Sequence, residues 1–511
     1  MDGDRGDGGI AGGLAAAGAA DMPVDVPLVV DLDGTLTPSD SLHEAAIACV
    51  VARPGTLLSL PGWLREGPGR TKAEIAAREI ATGLPIRPEV AALLAEARAA
   101  GRTTVLATAA HRRQAEAVAA ETGLFDEVIA TGDGTGDGTG EDATGNGGSD
   151  AGSPENLKGA AKAAALVARY GREGFDYAGD ATADLAVWVE ARHVITVGAG
   201  EGLRARAEDI DPAATHLAPA DRSARRRAWI RALRPHQWSK NLLVFLPALA
   251  AHAPGALVPA LAAFVAFSLT ASSVYLINDL SDLAADRAHP RKRARPFASG
   301  ALPPSHGVIA APILILLATL IGGLIAGPAF LLTLAAYYVA TFAYSLWLKR
   351  KLVIDVITLA GLYTIRIIAG AAAASVVLSP WMLGFSMFLF LALAAVKRQG
   401  ELADQMKDGR SGAGRAYEPE DLPVLRGIAL ASAHAAVLVL ALYISSDDVA
   451  LLYGRPEALW LVCPILLYWA LRMVMKAHRG LMTDDPIVFS VTDGPSRYMI
   501  LAAVLAVLVA L

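Results

Sequence analysis

From Asn241 to Leu511 the chain is a succession of apolar runs of Ala, Leu, Val and Ile, each about long enough to cross a bilayer. In lipid such runs must fold as helices, because only then does every backbone N–H and C=O find a partner within the segment. Nine apolar segments can be marked, beginning near residues 242, 256, 308, 329, 352, 380, 425, 457 and 497; the first is short enough to merge with its neighbour. Between about Pro27 and Pro219 the pattern is different, with short apolar runs and frequent charges. A chain of 511 residues that is 54% hydrophobic is too long for one ordinary domain and too apolar to be wholly soluble. A soluble front and a membrane rear follow.

Charge sets an orientation. Basic residues gather in alternate connections: Arg287, Arg291, Lys292, Arg293 and Arg295 after the second segment, then Lys349 to Lys351, Lys397 with Arg398, and Lys476 with Arg479. The turns around Pro254, Pro328, Ser379 and Asp447 are poor in Lys and Arg. The positive-inside rule then predicts a multi-pass protein of the inner (plasma) membrane with its front domain in the cytoplasm. The net charge of -5 averages over both halves and decides little. Cys49 and Cys463 lie one in each half, so no disulfide framework is expected. Residues 1–26, Gly-rich and acidic, read as a disordered tail, and residues 131–154 as a flexible insertion that lacks the apolar positions and terminal Glu of a Ca²⁺ loop. Residues 221–240 mix Arg with Trp229 and Trp238, as in a helix lying on an anionic membrane surface or a plain basic linker. No nucleic-acid partner is expected.

The densest chemistry in the rear half is NDLSDLAADR, Asn278 to Arg287. Asp279, Asp282 and Asp286 stand at i, i+3 and i+7, and Asn278, Asp282 and Asp286 at i, i+4 and i+8, so one face of a continuous helix would carry them all. Such a face can hold Mg²⁺. Charged residues near a bilayer centre cost roughly 2.5 to 3.5 kcal/mol each, which predicts that these lie at the interface or line a polar cavity. His289, Arg291, Lys292 and Arg295 follow, and carboxylates holding Mg²⁺ beside cations make a clamp for diphosphate oxygens. YSLWLKRKLVID repeats the logic with Tyr344, Lys349, Arg350 and Asp355. The competing reading gives the arginines only a topological role.

In the front half an apolar strand runs into DLDGTLTPSD. Asp31 is placed to attack phosphorus, and Asp33 to protonate the leaving oxygen and then activate water. This resembles the first motif of the haloacid dehalogenase superfamily, mostly Mg²⁺-dependent phosphatases on a Rossmann-like fold. TVLATAA with Thr108 is similar to the second motif, NLKGAAK with Lys158 to the third, and GDATAD with Asp180 and Asp184 to the fourth. The resemblance implies an α/β domain over residues 27–220 with a small helical cap at about 40–100. It also implies catalysis by Asp31, Asp33, Thr108 and Lys158, with Mg²⁺ at Asp31, Asp33 and Asp180; Asp184 completes the GDxxxD arrangement that in the family holds Mg²⁺ with the first aspartate, and is placed on the substrate side.

Over residues 241–511 the NDxxDxxxDR motif, the YSxxLKR loop followed by an aspartate, and about nine helices resemble the UbiA-type intramembrane prenyltransferases, all-α transmembrane bundles. Only Asp355 stands where many members have DxxxD. The resemblance implies Mg²⁺ at Asn278, Asp279, Asp282 and Asp286. It places substrate at Lys240, Arg287, Lys292, Arg295, Tyr344, Lys349, Arg350 and Asp355. LRPHQWSKN, HPRKRARPFASG and LYTIRIIAG look most like decaprenyl-phosphate phosphoribosyltransferases, implying phosphoribosyl pyrophosphate as donor and a polyprenyl phosphate as acceptor. Prenylation of an aromatic or other small acceptor by a polyprenyl diphosphate needs the same clamp and stays open. The front domain would dephosphorylate the product or, alternatively, sense a phosphometabolite; a transporter lined by acidic helices is the third class. Arg366, about three turns into a span, is either functional or paired with Asp355.

Overall fold

The computed structural model describes residues 26–132, 156–218, 221–407, 417–482 and 485–511, so nearly all of the expected tail and insertion lie outside the described residues. The chain divides into two compact units, Met1–Trp229 with Asp279–His306, and Ile230–Asn278 with Gly307–Leu511.

The first unit is built on six strands: β1 (Leu28–Val30), β2 (Thr104–His111), β3 (Glu127–Thr131), β4 (Asp176–Gly179), β5 (His193–Val197) and β6 (Thr215–Leu217). All pairings are parallel, in the order β3-β2-β1-β4-β5-β6. Between β1 and β2 the chain forms four helices, α1 (Ser41–Ala52), α2 (Thr56–Glu66), α3 (Pro68–Arg78) and α4 (Pro88–Ala99), where the cap was expected. Then come α5 (Arg112–Thr122), α6 (Ala160–Tyr170), α7 (Leu185–Trp188) and α8 (Glu201–Ile210). Side chains alternate across a strand, so β1 feeds two cores. Leu28 and Val30 pack with Ile75, Val90, Leu94 and Val118, while Val29 packs with Leu166, Trp188 and Ala207. Helices therefore cover both faces, as a parallel sheet requires. The strand order reverses at β1, and the C-terminal ends of β1 and β4 flank that switch point, the usual place for a ligand in such sheets.

Beyond the sheet run α9 (Arg222–Leu233), α10 (Leu246–Ala250), α11 (Leu257–Ser281), α12 (Leu283–Ala288), α13 (Pro304–Ile321), α14 (Pro328–Leu346) and α15 (Ile354–Ala374). They are followed by α16 (Pro380–Lys407), α17 (Leu422–Ile444), α18 (Asp447–Leu452), α19 (Val462–His478), α20 (Pro486–Thr492) and α21 (Gly494–Ala510). Among the described residues seven helices are long and apolar enough to cross a membrane, or eight if the pair α20 and α21, bent by 89°, counts as one span. The expected count of about nine is thus approximate. Its first segment is no span, because Pro235–Phe245 forms a 3-10 helix and α10 adds only five residues. The bend at the far end has its own cause: Asp493 caps α21 through Ser496 N at 3.0 Å and pairs with Arg472 at 2.6 Å, so the chain turns where a charge is anchored.

In the second unit the spans containing α13 and α14 keep only 17% of their apolar windows buried, whereas that of α15 is 61% buried. Leucines and isoleucines facing outward on that scale have no solvent but lipid. Near its C-terminal end α15 approaches the 3-10 helix so closely that a Cβ on Gly370 would meet the carbonyl of Val244. Lys397 and Arg398, expected in a basic loop, lie instead inside α16, whose 28 residues outrun a single bilayer crossing.

Candidate active sites

Asp31 follows β1 and Asp180 follows β4, so two strand ends of the switch point bring together carboxylates far apart in sequence. Asp31, Asp180 and Asp184 each offer an oxygen within 4.8 Å of the others. Asp180 accepts from Thr35 Oγ1 at 3.2 Å, across the turn made by Gly34. Gly34 has φ +83°, and a Cβ there would strike the Asp180 carboxylate, so both the backbone and the close approach require glycine. Burial pushes the Asp31 carboxyl up; burial and then Asp31 and Asp184 push that of Asp180 up to about 7. Crowded, desolvated carboxylates of this kind fit a divalent cation, which would offset their repulsion.

Asp184 plays a different part from Asp31 and Asp180. Its Oδ2 accepts from the N–H groups of Asp180 and Ala181 at 3.1 and 3.0 Å, and its Oδ1 from Tyr177 OH at 2.9 Å. Both oxygens shape the loop that carries Asp180, in place of the substrate contact expected from the sequence. Asp33, also expected to bind Mg²⁺, keeps its carboxylate outside this group: its Oδ1 accepts from Ser41 N at 2.6 Å, at the start of α1. Burial first, and Asp40 next, raise its carboxyl to about 7, a protonation range suited to a general acid. Thr108 is buried in β2 and its Oγ1 accepts from Ala110 N at 3.0 Å.

The lysine at Asp31 is not Lys158. Lys158 is exposed ahead of α6, while Lys162, one turn later on the buried face with Ala163 and Leu166, places Nζ 2.8 Å from Asp31 Oδ1 and 2.9 Å from Tyr177 OH. The signal for it is a lysine on the apolar stripe of a short amphipathic helix, where a cation is tolerated only if paired.

The acidic motif does not ride one continuous helix. α11 ends at Ser281, Asp282 sits between helices with φ -95° and ψ 10°, and α12 begins at Leu283, so the regular spacing is interrupted and Asp282 is exposed. Asp279 and Asp286 are buried, and Arg295 Nη1 joins them at 3.0 and 2.6 Å. Arg295, expected at a substrate phosphate, thus bridges carboxylates. Asp286 Oδ1 is buried and accepts no hydrogen bond among the described residues, with Lys292 Nζ 4.0 Å away. Two buried carboxylates, one with an unbonded oxygen, beside Lys292 and Arg295 fit a cation that carries a diphosphate. Among the described residues, no group of three acidic side chains gathers here as one does at Asp31. Arg287 is also turned from its expected phosphate: its guanidinium donates to both oxygens of Glu44, at 2.6 and 2.7 Å.

In the second unit a cavity of about 160 Å³ is lined by Asn278 on the last turn of α11 and by Lys240, Arg366 and Lys397, with Tyr275, Tyr337, Tyr344 and Tyr363 among its walls. Lys240 and Lys397 reach the same oxygen of Asp485, at 2.9 and 3.1 Å, which also accepts from Tyr363 OH at 2.5 Å. Arg366 donates to Asn241 Oδ1 at 2.8 Å and Tyr337 OH at 3.0 Å, and stands 4.8 Å over the Tyr337 ring. It does not pair with Asp355. Asp355, at the start of α15, accepts from Tyr344 OH at 2.9 Å and pairs with the buried Arg398. Val353, just before it, is a β-branched residue at φ +65°, and such strain marks a constrained entry into the helix. Tyr344 lines the cavity; Lys349 is half-buried and Arg350 exposed, and neither is in its wall. Asp485, Tyr337 and Tyr363 were given no site role from the sequence, and Lys397 only a topological one, because separate segments bring them to the cavity.

A charged cavity walled by apolar helices, in a chain that also carries a parallel α/β domain with clustered carboxylates, defines an integral membrane enzyme. Residues 241–487 match the UbiA prenyltransferase family, and residues 28–187 match the haloacid dehalogenase-like hydrolases. A Sinorhizobium fredii protein, y4nM, is 35% identical over 483 residues, 93% of this chain and 89% of that protein. Nodulation protein NoeC of Azorhizobium caulinodans is 37% identical over 286 residues, 54% of this chain and 91% of that protein. Decaprenyl-phosphate phosphoribosyltransferase of Mycobacterium tuberculosis is 36% identical over 226 residues, 43% of this chain and 74% of that protein. The chain belongs to the UbiA prenyltransferase family and carries a haloacid dehalogenase-like domain ahead of its membrane part.

Proposed function

We propose that the protein transfers the phosphoribosyl group of phosphoribosyl pyrophosphate to a polyprenyl phosphate, and that its α/β domain then removes a phosphate from the product. The observation that carries this reading is the charge of the cavity. Lys240, Arg366 and Lys397 face one space of about 160 Å³, which suits an acceptor that brings its own phosphate better than it suits a neutral ring. The similarity to proteins named decaprenyl-phosphate phosphoribosyltransferase supports it as well.

In this reaction a phosphate oxygen of the lipid bonds to the anomeric carbon of ribose, the bond from that carbon to diphosphate breaks, and diphosphate leaves with the electron pair. Asp485 fixes Lys240 and Lys397, and Asn241 with Tyr337 fixes Arg366, so that anionic groups meet preset cations. Asp279 and Asp286, joined by Arg295, would hold Mg²⁺, which would neutralise charge on a departing diphosphate, and Lys292 beside Asp286 would meet its oxygens. In the α/β domain Asp31 bonds to phosphorus as the ester bond breaks and Asp33 gives its proton to the leaving oxygen; Asp33 then takes a proton from water, whose oxygen bonds to phosphorus as the bond to Asp31 breaks, freeing phosphate and the Asp31 carboxylate. Lys162 partly offsets the burial that raises the Asp31 carboxyl, and Asp31 with Asp180 would hold the cation. The basic segments and the α/β domain belong on the cytoplasmic side.

The four tyrosines around the same cavity favour a second reading, prenylation of an aromatic acceptor with the α/β domain as a sensor. Mass spectrometry of lipids separates the two. Purified protein with Mg²⁺ is given polyprenyl phosphate and phosphoribosyl pyrophosphate, and in parallel polyprenyl diphosphate and an aromatic acid. A lipid heavier by a ribose phosphate, in the first mixture alone, is expected; a prenylated acid in the second alone would replace the proposal.

A further inference from the structure

Within the first unit the acidic segment is fastened to the α/β fold at a point outside both sets of catalytic groups. Arg287 grips Glu44 with both nitrogens of its fork, and the pair is nearly closed to solvent, with side-chain exposures of 10% and 2%. Its Nε donates to Ala298 O at 3.2 Å, so one guanidinium ties α1, the end of α12 and the turn at Ala298. A second contact lies nearby. Gly300, at φ +74°, lets the backbone come so close to Pro38 and Pro85 that a Cβ would overlap the Pro38 ring. Phe297, Ala298 and Leu302 are buried beside it.

The two neighbours in sequence, Asp286 and Arg287, thus face different partners: Asp286 meets Arg295 and Asp279 through that arginine, and Arg287 meets Glu44. Glu44 itself stands in the first turn of α1, three residues after Ser41, whose N–H holds Asp33. A buried ion pair is expensive to desolvate and is better at fixing one arrangement than at adding stability. Here the arrangement it fixes is the position of Asp286.

We infer that Glu44 is a positioning residue of the transferase: through Arg287 it sets Asp286, so the α/β domain is part of the support of the diphosphate clamp as well as a separate hydrolase. This rests on the reading of Asp286 as a group that handles the diphosphate.

The test uses the full chain in detergent, with Glu44→Gln, Arg287→Glu and the exchange Glu44→Arg with Arg287→Glu. Hydrogen exchange across residues 283–303 reads the docking without any substrate. In Glu44→Gln it is expected to rise about tenfold or more, because a hydrogen-bonded charge pair has been cut. The Mg²⁺ concentration for half-maximal lipid product is expected to rise about tenfold, the loss typical of a support behind a metal ligand. Release of phosphate from a soluble ester should stay within about twofold, since Glu44 touches none of the groups at Asp31. The exchange variant should recover part of both losses relative to the worse single variant. Unchanged hydrogen exchange in Glu44→Gln overturns the inference. So does an exchange variant no better than the worse single one, which would mean that Arg287 acts on substrate directly. If the wild type forms no lipid product from either donor, the functional reading fails by itself, while hydrogen exchange still decides whether Glu44 docks the segment.

Discussion

The two acidic clusters of the first unit answer the same electrostatic problem in opposite ways. At the strand ends, Asp31, Asp180 and Asp184 crowd together, and a single buried cation, Lys162, contacts Asp31 at 2.8 Å. In the acidic segment, Asp279 and Asp286 are joined by an arginine that touches both. The first cluster is assembled by topology from residues about 150 apart, the second from residues within one short stretch. The first therefore keeps its geometry for as long as the sheet is folded. The second depends on a broken helix and on whatever holds the break, and it should respond more strongly to changes at a distance.

The largest effect should come from removing the nucleophile. Asp31→Asn is expected to lower phosphate release by on the order of 10³-fold or more, since no neighbouring group can replace the attacking oxygen, while the lipid product still forms. Malachite-green and lipid assays on one preparation read both activities. A loss of both would mean that the clusters do not work separately, and the comparison would break. Next in size is the contrast inside the acidic segment. Asp286→Ala is expected to cost on the order of 10² in lipid formation, and Asp282→Ala no more than about tenfold, because Asp286 is buried against Arg295 whereas Asp282 is exposed at the helix break. Equal losses would favour a continuous helical face after all.

Much of the first cluster was legible in the sequence, because Asp31 and Asp180 each follow a strand, and the ends of those two strands lie side by side once the sheet forms. What escaped was local. Whether Lys158 or Lys162 reaches Asp31 depends on where α6 begins, and Gly159, at φ +58°, starts it just after Lys158. The acidic motif was legible as chemistry but not as geometry, since helical spacing assumes a helix that Asp282 interrupts. The partners of its cations were out of reach. Glu44 lies 243 residues from Arg287, and Asp485 lies far along the chain from Lys240, so no periodicity links them. Spans were readable from hydropathy, but the 3-10 helix at Pro235–Phe245 and the anchored bend at Asp493 altered their number.

The lysine assignment gives the third expectation. Lys162→Met should lower phosphate release about 10²-fold, because Asp31 then loses the only cation shown in contact with it among the described residues and its burial is no longer offset. Lys158→Met, on an exposed residue, should stay within about threefold. The reverse ranking would restore Lys158 and move the start of α6.

The smallest effect separates the two clusters most finely, because it has a sign as well as a size. If Arg295 occupies carboxylate oxygens that a cation also needs, the two compete. Arg295→Gln removes a competitor from Asp279 and Asp286, so the Mg²⁺ concentration for half-maximal lipid formation should fall, by roughly tenfold, the low end of what one charge-assisted hydrogen bond is worth. A purely supporting arginine predicts the other sign: without it the two aspartates repel and separate, and more Mg²⁺ is needed. A Mg²⁺ titration of lipid formation by the variant, set beside hydrogen exchange of residues 283–303, tells them apart, since competition leaves exchange in the segment unchanged and loss of support raises it.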